Sequence, residues 1–545
     1  MKFFKESSRL HDWLPYFPYD NCRDDQSRAI QFAIDEFNSG KRFVVVEAAT
    51  GVGKSAIGYT IANYMNDKTT NVAGFDEGSW FVTTQKILQD QYLRDFFSKG
   101  MRSIKSASNY TCKFKKVNTC ADSQKELKVE EKDSSFYKSC SFSCVYRKEK
   151  ESFLTSKSSV TNFPYLLTEA NYNGKIKPRK ILVIDESHNI ETELSKFVEI
   201  GVTDRFAKST LKIDVPDLKT QFQAYNWIKD VYFPKLSSHK KHIDETLEKF
   251  STVKSKLNDF VSLTRQIELL SGHHAKISRF LEIYDPENWV FESIEEDSKK
   301  SRRLQFKPID VSVYSESILF RLGYKILLMS ATILDKQGFI ESLGIKESDV
   351  GYISISSPFP VDNRPILSFS IGKMTQSEID RSLPRLVEAV KNILEQHKNE
   401  KGIIHCHSYK ITNYLRTHIN SKRLLTHNTE NREEILKKHI DSKIPTVLLS
   451  PSMTEGVDLV DDASRFQVIC KIPYPYLGDK LVVKRMHRWK WWYPLQTAKT
   501  IVQAIGRSIR NANDYAVTYV LDSDWKIFYG KNKKYFPEDF EKCMK

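Results

Sequence analysis

The sequence predicts an α/β protein of two doubly wound lobes facing each other across a cleft. Short apolar runs recur along the chain and end in small or polar residues, as the strands of parallel sheets do. They include residues 43–46 before AATGVGKS, residues 181–184 before DESH, KILLMSATIL (325–334), GIIHCHSYK (402–410) and VLLSPSMTEGVDL (447–459). The stretches that follow 43–46 and 181–184 turn to helical spacing, so strand and helix alternate. At 545 residues the chain is long enough for several domains with large cores.

Composition narrows the class. Hydrophobic residues make up 40% and aromatics 12%, the profile of a globular chain. The 84 Lys and Arg outnumber the 69 Asp and Glu, a net +15 that suits a polyanionic partner, although an ordinary basic surface gives the same count. The N-terminal MKFFKESSRLHDWLPYF has charges and prolines where a signal peptide needs an apolar core. No apolar run approaches the roughly 18 residues of a membrane span. A soluble, non-secreted protein without membrane contact is expected, in a reducing compartment where clustered cysteines serve metals more often than disulfides.

The sharpest local signal is RFVVVEAATGVGKSAIGYTIANYM, residues 42–65. Strand, Gly-rich turn, GKS and helix in this order are the context of a phosphate-binding loop. Ala48, Ala49, Thr50, Gly51, Val52, Gly53, Lys54 and Ser55 form the candidate nucleotide loop. Gly51 and Gly53 let backbone N–H groups approach phosphate, Lys54 reaches the β- and γ-phosphates, and Ser55 is a Mg²⁺ ligand. Ala48 stands where the GxxxxGK[ST] pattern has its first glycine. In RKILVIDESHNIETEL (179–194), Asp185 and Glu186 fall at a strand's C-terminal end. That is the place of a Mg²⁺-binding Asp and a water-activating Glu in an ATP hydrolase. In TIVQAIGRSIRNANDYAVTYVLD (500–522), Gln503, Arg507 and Arg510 are spaced to share one helix face. The two arginines on that face suit an arginine finger delivered from a second lobe, or a solvated face with a structural Arg.

Four of the eight cysteines fall within residues 112–144: Cys112, Cys120, Cys140 and Cys144, in lysine-dotted polar sequence. A metal-stapled insert is the expectation, and spacing alone leaves an iron–sulfur cluster and a four-cysteine zinc site both open. The other four are scattered and expected to be core or incidental thiols. KRMHRWKWWYPLQ (484–496) interleaves Lys484, Arg485 and Arg488 with Trp489 and further aromatics. Bases stacked on aromatics with cations along phosphates is single-strand binding chemistry, and a lobe-packing helix with snorkelling cations is the rival. DNA contact is expected for the basic face and packing for at least one Trp.

Taken in order, EAATGVGKS, VTTQKILQDQY, DESH, SAT, EGVDL and QAIGRSIR resemble superfamily 2 helicases of the XPD/DinG branch. VTNFPYLL, RLQFKPIDVS, SSPFP and PYPYLGD are cues specific to that branch, and CRDDQ, with Arg23 and Gln26, resembles its nucleotide-side Q-type motif. The resemblance covers most of the chain and is weakest across residues 196–300. It implies two RecA-like P-loop NTPase lobes, with an Fe–S cluster domain and a helical Arch-like insertion in the first lobe. The implied divisions are lobe 1 at 1–105, 151–195 and 308–345, the cysteine insert at 106–150, the Arch-like insertion at 196–307, and lobe 2 at 346–545. It implies a [4Fe–4S] cluster on Cys112, Cys120, Cys140 and Cys144, although the tight CxxC common in XPD proteins is missing here. ATP and Mg²⁺ are the other implied cofactors. His188, Thr332, Glu455 and Asp458 become coupling candidates by motif position, with Asp458 also on the nucleotide. The implied activity is a 5′→3′ DNA helicase that translocates on single-stranded DNA and opens forked duplexes, working as a monomer in the cytoplasm, nucleoid or nucleus. Lys113, Lys115 and Lys116 on the insert would face the DNA. The alternative is a metal-stapled ATPase that remodels nucleic acid, RNA included, or protein complexes without processive unwinding.

Overall fold

The apolar runs become strands, and their order explains the molecule. A computed structural model describes residues 11–114, 119–127, 130–251, 257–296, 301–428, 430–451, 459, 461–509 and 514–545. The strands are β1 (Phe43–Ala48), β2 (Asp76–Thr83), β3 (Met101–Ser103), β4 (Ser158–Asn162), β5 (Arg179–Ile184), β6 (Ile200–Thr203), β7 (Trp289–Glu296) and β8 (Ser301–Pro308). They continue as β9 (Gly323–Ser330), β10 (Val350–Ile355), β11 (Ile366–Gly372), β12 (Gly402–His405), β13 (Leu424–Thr426), β14 (Val447–Ser450), β15 (Phe466–Ile469) and β16 (Val517–Asp522).

The first sheet has the order β10-β1-β9-β5-β2-β4-β3 and is parallel throughout. The second, β11-β16-β15-β12-β14-β13, is also wholly parallel. Helices cover both faces of each, so β1, β5 and β14 are buried at every position and read as unbroken apolar runs rather than alternating ones. The first sheet extends to Ile355, past residue 345: β10 pairs in register with β1 from Phe43↔Val350 to Ala48↔Ile355. Alternation had no part in setting that boundary, because an edge strand's partner is a matter of tertiary pairing.

Two insertions leave the first sheet. The cysteine segment emerges between β3 and β4 and forms the helices Cys120–Glu126, Ser135–Phe142 and Val145–Thr155. Ser134 caps the second by accepting from the Tyr137 backbone N–H at 3.1 Å. The larger insertion lies between β5 and β9. It pairs the long helices Phe233–Ser251 and Leu257–Ile283 with an antiparallel sheet, β6-β8-β7. The insertion is therefore helix hairpin plus sheet rather than helical alone, with β7 and β8 supplying two of the sheet's strands. No helix among the described residues is long and apolar enough to cross a membrane.

Candidate nucleotide site and inter-lobe cleft

In the first sheet β1 and β5 flank β9, so the loops leaving three neighbouring strands converge: the Gly-rich loop, the Asp185–Glu186 turn, and Ser330–Thr332. Gly51 and Gly53 have φ of 86° and 89°, left-handed values that glycine adopts without steric cost. The loop is braced from outside. Arg23 donates to Gly51 O at 3.0 Å and Val52 O at 2.7 Å, and Gln26 donates to Val52 O at 3.0 Å. Lys54 Nζ donates to Ala48 O at 3.2 Å, folded back over the loop between Ala48 and Ser55.

Asp185 is buried. Desolvation pushes its carboxyl up to about 6, the Glu186 carboxylate adds to this, and the Lys54 ammonium opposes it. Its Oδ1 accepts the Glu186 N–H at 2.9 Å and its Oδ2 accepts the Tyr92 hydroxyl at 3.0 Å. Glu186 has φ 50°, a left-handed conformation uncommon for a non-glycine residue and concentrated at functional turns. Its Oε2 lies 3.4 Å from His188 Nδ1.

His188 carries the site into the other lobe. Gln503 Nε2 donates to His188 Nε2 at 2.8 Å and to Thr332 Oγ1 at 3.2 Å. An Nε2 that accepts leaves the ring proton on Nδ1, 2.8 Å from Ser330 Oγ. Arg507 is near enough that its charge helps lower the His188 pKa. It does not share a helix with Gln503 as expected, because the helix Trp492–Ile505 ends before Gly506, a poor helix former. Arg510, Glu455, Asp458, Lys115 and Lys116 lie outside the described residues. Lys113 is exposed.

The helix Lys480–Arg488 and the start of Trp492–Ile505 pack against the first lobe, and here the sequence reading needs correction. Arg485 is not a nucleic-acid contact in this arrangement. It is 6% exposed, pairs with Glu191 at 2.6 Å and donates to Ile309 O at 2.8 Å, both partners belonging to the first lobe. Arg488 pairs with Asp310 at 3.0 Å, and Trp491 and Trp492 donate to Glu341 and Glu191 at 2.9 and 3.2 Å. Trp489 is half-buried, and Lys484 stays exposed. The stretch reads as basic and aromatic because its acidic partners come from remote segments.

Three contributors were not legible as site residues. Lys499 is buried in the lobe interface, its pKa lowered by burial and opposed by Glu191, Glu47 and Asp335 of the first lobe. Phe359 of SSPFP lies over Gly51, where an added Cβ would come within 2.2 Å of its ring, and packs with Ile509 of the second lobe. Tyr92 stands in a quoted motif, yet its partner is 93 residues away.

Buried histidines make the cleft acid-sensitive. Burial lowers His188 to about 4, His405 to about 3 and His407 to about 4. Each must charge when the chain unfolds below its ordinary pKa, so the unfolded state binds more protons between pH 6.5 and about 4. Stability is therefore full above pH 6.5 and falls as the pH drops toward 4, by about 1.4 kcal/mol per pKa unit per group. A thermal midpoint measured from pH 7.5 to 4.5 should fall steeply, and a flat profile would contradict the burial.

The four insert cysteines line one cavity of about 30 Å³. Burial pushes the Cys120 thiol up to about 12, and the Cys144 and Cys140 thiols push the same way. Four thiols on one small cavity are the donor set of a thiolate-held cluster or zinc. Among the described residues no three His, Cys, Asp or Glu are gathered tightly enough to form a ligand group. Convergence is present, then, without a ligand shell's spacing. Cys406, Cys470 and Cys543 are buried and Cys22 is partly so.

Comparison with known proteins agrees with this architecture. A family model for the helicase C-terminal domain matches residues 390–542, and one for the res subunit of type III restriction enzymes matches residues 20–214. A probable ATP-dependent helicase of Methanocaldococcus jannaschii is 23% identical, covering 96% of this chain and 95% of that protein. A regulator of telomere elongation helicase 1 homolog from Drosophila melanogaster is 31% identical over 113 residues, 18% of this chain and 12% of that one. Among solved structures, an XPD helicase superposes with a TM-score of 0.64 at 18% identity, covering 95% and 98% of the two chains. Xpd4 of S. tokodaii superposes with a TM-score of 0.59 at 15% identity, covering 96% and 99%. Two parallel-sheet lobes with a P-loop on one and a glutamine–arginine segment on the other define an ATP-hydrolysing helicase. By these matches the chain is similar to superfamily 2 helicases of the XPD/DinG branch.

Proposed function

We propose that this helicase moves 5′→3′ along single-stranded DNA and opens forked duplexes, with the cysteine insert at the fork. The division into lobe 1, cysteine insert, Arch-like insertion and lobe 2 belongs to this reading, with lobe 1 ending at Ile355. The observation that carries it is a cavity of about 990 Å³ bordered by the first lobe, the insert and the long helix Leu257–Ile283. Lys86, Arg147 and Lys175 line it together with Tyr137 and Tyr165, while Lys150 is paired there with Glu169 at 3.1 Å. Cations for phosphates beside rings for bases suit a sequence-tolerant single strand. Polarity rests on the family resemblance.

The cleft residues divide the hydrolysis among them. Lys54 and the Gly51–Gly53 backbone bind the phosphates, and Ser55 and Asp185 are the protein ligands for Mg²⁺, which neutralises phosphate charge when bound. Glu186 orients the attacking water and takes its proton. Arg507 and Arg510 reach the developing charge from the second lobe, so turnover requires closure. Gln503 reports closure to Glu186 through His188. Cys112, Cys120, Cys140 and Cys144 would hold a [4Fe–4S] cluster, with zinc the alternative on the same thiols. Either metal cross-links an insert too small to build a core of its own.

Forked duplexes with 5′ or 3′ tails, with and without ATP, test the reading. Opening of the 5′-tailed substrate alone is expected. ATP-driven turnover without strand separation favours a remodelling ATPase, and stimulation by RNA alone moves the substrate class. Binding should weaken steeply as salt rises, given the net +15. Arg485→Ala, by stranding Glu191 in the lobe interface, should cost about 3 kcal/mol in thermal or denaturant unfolding. An unchanged midpoint would mean that the lobes do not rest on this pair.

A further inference from the structure

We infer that Tyr92 is a positioning residue for the Mg²⁺ site, its phenol fixing the Asp185 carboxylate. The inference rests on the reading of Asp185 as a Mg²⁺ ligand and goes beyond it by naming what orients it. Tyr92 lies on the helix Lys86–Phe96, 2% exposed, with its ring against Phe81 and Phe96 at centroid distances of 5.7 and 6.0 Å. Its hydroxyl donates to Asp185 Oδ2 at 3.0 Å, so a buried phenol on this helix meets the carboxylate at the end of β5.

A carboxylate beside a metal keeps a useful orientation only if its other lone pairs are engaged. Asp185 Oδ1 is engaged by the Glu186 N–H at 2.9 Å and Oδ2 by Tyr92. Those two donors fix the carboxylate's rotation. Each oxygen keeps a lone pair for the ion.

Tyr92→Phe removes the hydroxyl and keeps the ring. DNA-stimulated ATP hydrolysis is followed across a Mg²⁺ titration at saturating ATP, beside Asp185→Asn as the reference. In Tyr92→Phe the half-saturating Mg²⁺ should rise about 10-fold while kcat at saturating Mg²⁺ is retained. Mn²⁺, which binds such sites more tightly than Mg²⁺ does, should restore turnover at wild-type metal concentrations. The thermal midpoint without metal checks the fold, and Tyr92→Met, which also fills the space without a donor, replaces Tyr92→Phe if that protein does not fold. A wild-type Mg²⁺ curve in a folded variant, with Asp185→Asn inactive, overturns the inference alone. Persistent Mg²⁺-dependent hydrolysis in Asp185→Asn overturns the ligand reading and the inference with it.

Discussion

Glu186→Gln is expected to lower ATP turnover by at least about 10²-fold while nucleotide binding persists. The argument is geometric first. Asp185 and Glu186 are adjacent in sequence but differ in environment: Asp185 is buried at 6% exposure with two donors on its carboxylate, while the left-handed Glu186 backbone turns the next side chain toward His188. On the proposed reading Asp185 is the Mg²⁺ ligand and Glu186, turned toward His188, is the base that acts on water. Glutamine keeps the shape and cannot take a proton. Phosphate binding rests on Lys54 and the loop backbone, which the substitution leaves alone. Single-turnover hydrolysis and equilibrium binding of a fluorescent ATP analogue, measured on the same preparation, separate the two effects. Undiminished turnover in folded Glu186→Gln protein would sink the assignment of the base. Lys54→Ala should lose turnover as well, but with weakened binding, because its ammonium is a phosphate contact rather than a proton acceptor.

What the sequence made legible follows from how local each feature is. The P-loop and the DESH turn are contiguous segments, each an apolar strand followed by its own loop, and their meeting is a consequence of β1 and β5 flanking β9. Any chain that folds those strands into a parallel sheet brings their C-terminal loops together. Gln503 was legible by motif position, and it does reach His188. Arg485 was misread because its charge was visible and its partner was not: Glu191 comes from a different lobe, as does the Ile309 carbonyl. A cation beside tryptophans has the same local signature on a nucleic-acid surface as in a desolvated interface. The burial of Lys499 is hidden for the same reason, although with hindsight its position one helical turn before Gln503 put it on the face that meets the first lobe. Tyr92 is a buried aromatic on its helix. Only the remote Asp185 gives its hydroxyl a task.

Cys140→Ser is expected to abolish most strand separation while DNA-stimulated ATP hydrolysis falls far less. The insert has two anchorages of unequal strength. At its root, Cys120 packs into the large core of the first lobe with Ile104, Tyr146 and Phe153. At its tip, Cys140 packs with only Leu127 and Phe136 among fully buried residues, beside the partly buried Cys112, Tyr137 and Cys144. On the proposed reading the four thiols that share the small cavity supply the cross-link this small cluster lacks. Losing one ligand should loosen residues 106–150, and with them Tyr137, Tyr146 and Arg147 on the wall of the larger cavity. The two parallel sheets have their own buried strands and contain none of the four cysteines, so the motor should still fold and close on ATP. Iron and zinc analysis of anaerobically purified protein comes first, with about four irons per chain expected for a cubane on four thiolates. Stoichiometric zinc without iron would change the metal and leave the cross-link argument standing. Normal unwinding by Cys140→Ser, at unchanged ATPase, would mean that the insert holds its shape without the thiols, and that neither metal is needed for opening a duplex.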